Sequence, residues 1–185
     1  MRIIGGQWKR SKLSVPDRPG LRPTPDRVRE TLFNWLGQTM AGFRCIDAFA
    51  GSGALGLEAA SRGAAQVLLI EKDPGLAQAI RGHALRLKAL GVEVRTGDAL
   101  DHLKASAPGV WDVVFLDPPF GQGQNDGLFI QALAAARPLL VPGGWVYLEA
   151  PRMWTDGELE TLGWQALKRG KAGAVHHHLL VWAER

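Results

Sequence analysis

From Arg44 onward, short apolar runs alternate with longer stretches of helical spacing, and that alternation limits the fold more than any other feature of the chain. Strands separated by helix-length segments form βαβ units around a parallel sheet. The runs predict strands at 45–49, 67–71, 92–96, 113–116 and 145–149, with helices at 55–62, 74–90, 99–105 and 128–140 between them. Asp73-Pro74 predicts a cap for the second of these helices, and Pro142-Gly143-Gly144 a stop for the last. Segments 164–168 and 175–182 are also strand-like, but Arg169-Gly170-Lys171-Ala172-Gly173 between them is too short for a crossover helix, so they pair antiparallel. The expected architecture is α/β: a doubly wound, mostly parallel, seven-stranded sheet with a C-terminal antiparallel hairpin. Ligands of such sheets sit beyond the carboxyl ends of the strands, near the point where strand order reverses.

The first forty residues read differently. Segment 2–13 predicts a small hairpin, and Pro16, Pro19, Gly20, Pro23 and Pro25 break the chain after it. Thr24 reads as an N-cap with Pro25 at the first helical position, opening a helix through Val28, Leu32, Phe33 and Leu36 that ends at Gly37 or Gly42. Residues 1–42 are thus expected as a basic extension and 43–185 as the sheet, within one structural domain. At 185 residues the chain can bury roughly 70% of its unfolded surface without staples. A 46% hydrophobic share with 22% charged residues excludes disorder.

Charge separates the two parts. Residues 1–30 carry eight basic against three acidic side chains, a surplus of +5, whereas residues 31–185 sum to −1. A basic arm on a near-neutral domain points to a polyanion, nucleic acid being the commonest, although a merely solvated charged segment has the same composition. The single cysteine, Cys45, excludes an intrachain disulfide or a zinc site of several thiolates and suits a reducing compartment. With no apolar run of signal-peptide or membrane-span length, the expectation is a cytoplasmic, membrane-free monomer.

The first predicted strand leads into Asp47-Ala48-Phe49-Ala50-Gly51-Ser52-Gly53-Ala54-Leu55-Gly56, where the glycines match G-x-G-x-x-G. Glu71 ends the next strand 20 residues after Gly51, where a carboxylate can take both hydroxyls of a ribose. A nucleoside-containing ligand follows. Asp47, four residues before Gly51, would repel a pyrophosphate, which speaks against a dinucleotide. S-adenosylmethionine carries a positive sulfonium and a positive ammonium and no phosphate, so a carboxylate lip suits it. Gly97-Asp98-Ala99 after the third strand offers a carboxylate to an adenine amino group, and Asp98 also reads as the cap of the following helix. The candidate cofactor residues are Asp47, Phe49, Gly51, Gly53, Glu71, Asp98 and Ala99.

The fourth strand ends in Asp117-Pro118-Pro119-Phe120, the most specific signal in the chain. An exocyclic amino nitrogen on a base is a poor nucleophile because its lone pair is delocalised into the ring. The Asp117 carboxylate and the Pro118 carbonyl can each accept one amino hydrogen, which favours a pyramidal nitrogen with its lone pair directed at a methyl donor. Pro118 and Pro119 stiffen the loop, and Phe120 offers a ring on which a flipped base can stack. These four are the candidate catalytic residues.

The sequence resembles the RsmD-type family of bacterial 16S ribosomal RNA guanine-N2 methyltransferases. The resemblance runs from Arg2-Ile3-Ile4-Gly5-Gly6 through the stretch Arg22-Pro23-Thr24-Pro25-Asp26-Arg27-Val28-Arg29-Glu30-Thr31-Leu32-Phe33-Asn34-Trp35-Leu36, then the glycine loop, then Asp117-Pro118-Pro119-Phe120. The last motif alone is shared with adenine-N6 enzymes. The resemblance implies a class I, Rossmann-like S-adenosylmethionine-dependent methyltransferase, with a guanine in 16S rRNA of the 30S subunit as acceptor. It also implies that the N-terminal arm contacts RNA, with Arg22, Thr24, Arg27 and Arg29 near the target. Lys171 falls in a basic hairpin turn that fits the same pattern, and Trp8, Lys9 and Arg10 add an aromatic and two cations to the arm.

Cys45 reads as a small core residue, since no base is placed to activate it. His176, His177 and His178 alternate faces along a strand and cannot converge on one ion, so no metal is expected and the run reads as surface or RNA-facing. Two other functions stay open on sequence grounds: adenine-N6 methylation of nucleic acid, and an RNA-binding assembly factor that uses the fold as a scaffold.

Overall fold

A computed structural model describes residues 1–18, 24–119 and 126–183. In chain order it contains α1 (Asp26–Trp35), β1 (Arg44–Asp47), α2 (Ala54–Ser61), β2 (Gln66–Glu71), α3 (Pro74–Arg86) and β3 (Val92–Thr96). After these come α4 (Ala99–Ala105), β4 (Trp111–Leu116), α5 (Asp126–Ala136), β5 (Leu140–Ala150), α6 (Asp156–Thr161), β6 (Trp164–Ala172) and β7 (Val175–Trp182). A 3-10 turn, Arg137–Leu139, joins α5 to β5. One sheet holds all seven strands in the order β3-β2-β1-β4-β5-β7-β6. The first five are parallel, and β7 runs antiparallel to both β5 and β6. Strand order reverses between β1 and β4, which pair with Asp47 opposite Phe115.

Both faces of the sheet are covered, which is why its central strands read as unbroken apolar runs. On one face Ile46, Leu68, Val114, Leu116 and Leu148 pack against Leu103, Phe129, Leu133 and Leu159 from α4, α5 and α6. On the other, Cys45, Val67, Val113, Phe115 and Tyr147 pack against Leu32 and Phe33 of α1, Leu57 of α2 and Ile80 of α3. Ile3 and Leu13 join this second core, each 1% exposed, brought together by an antiparallel bridge between Arg2 and Lys12. The extension therefore shares a core with the sheet. Burial raises the pKa of the Cys45 thiol, as suits a packing residue.

A buried ionic knot locks the extension down and overturns one expectation. Arg29 is fully buried and donates to Glu58 of α2 (3.4 Å), Asp26 (2.6 Å) and the Arg2 carbonyl (2.8 Å). Glu58 also accepts from Ile4 N–H (2.8 Å), Gly5 N–H (2.7 Å) and Arg62 Nε (2.9 Å). Arg29 is therefore turned into the protein, away from the surface an RNA would touch, because the Glu58 and Asp26 carboxylates and the Arg2 carbonyl are acceptors that its guanidinium satisfies.

Other local expectations also shift. Thr24 does not cap α1, which begins at Asp26 with Pro25 as its cap residue; the Thr24 hydroxyl goes to Glu149 instead. Asp73 and Asp98 cap α3 and α4 by accepting from Leu76 N–H and Leu100 N–H. Pro142-Gly143-Gly144 lies inside β5 and stops no helix. Helix α6 goes unpredicted although Thr155 and Glu158 form a capping box, a signature present in the sequence. His177 and His178 are buried, not surface-facing. His177 packs against Trp35 at 5.5 Å and Tyr147 at 6.4 Å, whereas His178 Nε2 accepts from Trp154 N–H. Among the described residues no helix is long and apolar enough to cross a membrane.

Candidate functional site at the carboxyl ends of the strands

The loop after β1 turns on Gly51 (φ 54°) and Gly53 (φ 76°), left-handed positions that a side chain resists. Its position is set by neighbouring strands. Ala48 N–H donates to the Phe115 carbonyl (3.1 Å) and Ala50 N–H to the Ile70 carbonyl (2.9 Å). Glu71 at the end of β2 accepts Gly51 N–H on Oε2 and Asp73 N–H on Oε1, both at 2.7 Å, so its carboxylate is oriented by two backbone donors. Asp47 accepts Gly56 N–H at 2.8 Å and ties the first turn of α2 to the end of β1. A Cβ on Gly56 would sit 2.7 Å from Leu69 Cδ2, so the glycine permits this close approach.

A cavity of about 1160 Å³ opens over these strand ends, a little above the ~300–1,000 Å³ usual for small-molecule pockets. Of the candidate cofactor residues, Asp47, Phe49, Gly51, Glu71, Asp98 and Ala99 line it, while Gly53 shapes the turn from below. Asp117, Pro118 and Pro119 line it too; Phe120 lies outside the described residues. Asp47 is 2% exposed and belongs to the cavity floor, not to its lip. Arg18, Thr24, Pro25 and Val28 of the extension close one side, and Ala172 and Val175 of the β6–β7 hairpin another. Among the described residues no group of three or more His, Cys, Asp or Glu is placed to hold a metal ion.

Six carboxyl side chains line this space, Asp47, Glu71, Asp73, Asp98, Asp117 and Glu149, with two cations, Arg18 and Lys72. Burial pushes Asp47 up to about 7, against the opposing Gly56 hydrogen bond and with help from Glu71 and Glu149. Asp117 is raised well above its ordinary value by burial, then by Glu149 and Asp47. Glu149 is raised by burial, although the hydroxyls of Tyr147 (2.9 Å) and Thr24 (3.2 Å) both donate to its Oε1. Such a site binds a polyphosphate poorly and a cation well. Sequence reasoning missed Glu149 and Tyr147, and it named Thr24 as an RNA-side residue and helix cap, not as a donor to Glu149. The signal was available, since Glu149 ends a predicted strand as Glu71 does.

The candidate RNA residues separate into groups. Thr24 lines the cavity, exposed Arg27 lies in the first turn of α1, and exposed Lys171 precedes the lining residue Ala172. Trp8 is half-buried beside Gly91 and Val92, at the amino end of β3, and exposed Lys9 and Arg10 follow it on the opposite rim of the sheet. Arg22 lies outside the described residues.

A family model described as conserved hypothetical protein 95 matches residues 1–181. The chain is 43% identical to the ribosomal RNA small subunit methyltransferase D of Escherichia coli strain K12, over 97% of this chain and 88% of that protein. It is 40% identical to the protein of the same name from Haemophilus influenzae, over 97% and 92%. The solved structure of yhhF from Escherichia coli superposes with a TM-score of 0.82 at 38% identity, covering 100% of this chain and 99% of that one. By the family model and by these identities over nearly the whole chain, the protein belongs to the RsmD family of ribosomal RNA small subunit methyltransferases.

Proposed function

We propose that the protein methylates the exocyclic N2 amino group of a guanine in 16S rRNA, within the 30S subunit in the cytoplasm, using S-adenosylmethionine. The observation that carries this reading is the opening of Asp117-Pro118 into the same cavity as the glycine loop, Glu71 and Asp98. The cofactor's chemistry fits the donor set: two positive groups and no phosphate, against six lining carboxyl groups and two lining cations, Arg18 and Lys72, that already pair with Asp73 and Asp98. Glu71 would hold the ribose hydroxyls, Asp98 the adenine amino group, and Asp47 and the Gly51 turn the cationic end. When bound, S-adenosylmethionine supplies an electrophilic methyl carbon on sulfur.

The remaining work falls to the chain. Asp117 and the Pro118 carbonyl each accept one amino hydrogen of the target base, localising the nitrogen lone pair without prior deprotonation. The proline pair holds the carbonyl still, so alignment is set before the reaction. Arg27 and Lys171, exposed beside the cavity, contact phosphates and hold the RNA over it.

The test is methyl transfer from labelled cofactor to 30S subunits, naked 16S RNA or duplex DNA, with the modified nucleoside identified by mass spectrometry. N2-methylguanosine in RNA is expected. Asp117→Ala should lower kcat by roughly 100-fold or more while RNA binding stays near the parent value. N6-methyladenine, or no transfer to either RNA, overturns the reading.

A further inference from the structure

We infer that Glu149 reads the N1–H of the acceptor guanine and is the residue that selects guanine over bases lacking that hydrogen. The inference deepens the function proposed above and rests on it.

Its basis is the placement of one oxygen. β4 and β5 pair in parallel with Leu116 opposite Leu148, so the next residues, Asp117 and Glu149, stand side by side about 4.8 Å apart at the strand ends. The Glu149 charge is one of the causes that raise Asp117. Glu149 is 4% exposed, yet it lines the cavity. Tyr147 and Thr24 both donate to Oε1, and neither reaches Oε2. Oε2 has no hydrogen-bond donor among the described residues, and the residue lines the cavity, so a donor that arrives with the ligand can satisfy it.

The Watson–Crick edge of guanine carries two adjacent donor groups, N1–H and the N2 amino group. Once Asp117 and the Pro118 carbonyl take the amino hydrogens, N1–H is the remaining donor on that edge. Glu149 Oε2 lies on the neighbouring strand to receive it. Adenine and 2-aminopurine both present a lone pair at N1, which would face a carboxylate with no hydrogen between them. Sites that hydrogen-bond a buried donor reject analogues lacking it strongly, because the site's own polar group is then left unpaired.

Glu149→Gln turns this argument into a switch. Two hydroxyls that donate at the Oε1 position favour the amide oxygen there, which leaves the NH₂ facing the cavity, a donor where an acceptor stood. The experiment compares transfer to reconstituted 30S subunits carrying guanine or 2-aminopurine at the mapped target. The parent protein should favour guanine by at least about 100-fold, and the Gln variant by less than about 10-fold. If the Gln variant transfers to neither, a binding titration with 2-aminopurine RNA, whose fluorescence rises on leaving the stack, and a guanine competitor reads the same ratio without chemistry. Parent-like discrimination by the Gln variant in either assay overturns the inference. If the parent's product is not N2-methylguanosine, the guanine reading itself fails, and mass spectrometry of the parent reaction separates that outcome from this one.

Discussion

Arg29→Met should unsettle the fold while leaving the salt dependence of RNA binding untouched, and Glu58→Gln should unsettle it more. Arg29 has no solvent exposure and three acceptors, Glu58, Asp26 and the Arg2 carbonyl. Breaking a buried ion pair from one side costs about 3–5 kcal/mol when the remaining charge is stranded. Here it is not stranded. Glu58 keeps Arg62 at 2.9 Å and the N–H groups of Ile4 and Gly5, and Asp26 keeps Arg2 at 3.1 Å. Methionine also refills most of the arginine stem's volume, so a loss of about 2 kcal/mol is expected, below the stranded-charge range. Glu58→Gln is worse, because one amide oxygen replaces two carboxylate oxygens before four donors, two of them guanidinium groups; about 5 kcal/mol is the expected scale.

For a chain of this size about 2–4 °C of Tm accompanies each kcal/mol, so losses of about 4–8 °C for Arg29→Met and about 10–20 °C for Glu58→Gln are expected. Thermal melts and urea titrations measure both. The same folded Arg29→Met protein should retain the parent slope of log K against log salt for 16S RNA, since a buried guanidinium releases no counterion. A phosphate contact would lower that slope by about 0.7–0.9. Parent-like stability together with a reduced slope would place Arg29 on the RNA and refute the reasoning.

Asp47→Asn keeps an acceptor for Gly56 N–H but removes a group raised from 3.8 to about 7 by burial. A raised carboxyl stabilises the fold below its unfolded value and withdraws that stability as pH rises through the folded one, so the variant's gain over the parent should grow between about pH 4 and 7, approaching about 4 kcal/mol. Melts of the cofactor-free protein across that range check it, and a gain independent of pH would contradict it. Replacing Arg27 and Lys171 with alanine should weaken RNA binding and reduce its salt slope by about 1–2 while cofactor affinity holds, as filter binding at several salt concentrations would show. Gly56→Ala pushes a methyl to within 2.7 Å of buried Leu69 and 3.2 Å of Asp47 Cβ; a loss of about 1–3 kcal/mol in urea melts is expected.

The parallel part of the fold was legible because strands buried on both faces, such as β2 and β4, leave unbroken apolar runs; the edge strand β3 and the antiparallel β7 also fall at their expected limits. Boundaries set by tertiary contacts were not. The Pro142-Gly143-Gly144 punctuation reads as a helix stop, yet α5 has already ended and β5 begins at Leu140. Thr24 looks like a cap by local rules and is recruited by Glu149 across 125 residues. The histidine run carries the polarity of a surface strand, but β7 lies between β5 and β6, and neighbours cover it on both faces. At the site, the glycine loop, Glu71, Asp98 and Asp117 were readable as strand-end positions. The orientation of Glu149 was not, because it depends on a hydroxyl from the opposite end of the chain.

That hydroxyl changes what the N-terminal segment is for. Its surplus of +5 invites a description as a basic arm reaching for RNA, but three of its cations are engaged within the protein. Arg29 is in the buried knot, Arg2 pairs with Asp26, and Arg18 pairs with Asp73 at the rim of the cavity. Lys9, Arg10, Lys12 and Arg27 form no ion pair among the described residues. The segment also supplies Thr24, Pro25 and Val28 to the cavity wall and one of two donors that turn Glu149 toward its open side. A cluster of carboxyl groups around one space opposes folding, and the arrangement holds because donors are fixed against Asp47, Glu71 and Glu149. The ionic knot that anchors the segment is therefore upstream of the site's geometry. Loosening Arg29 or Glu58 displaces Thr24 as well, so the stability of the extension and the orientation of the base-facing carboxylate are one property of this fold.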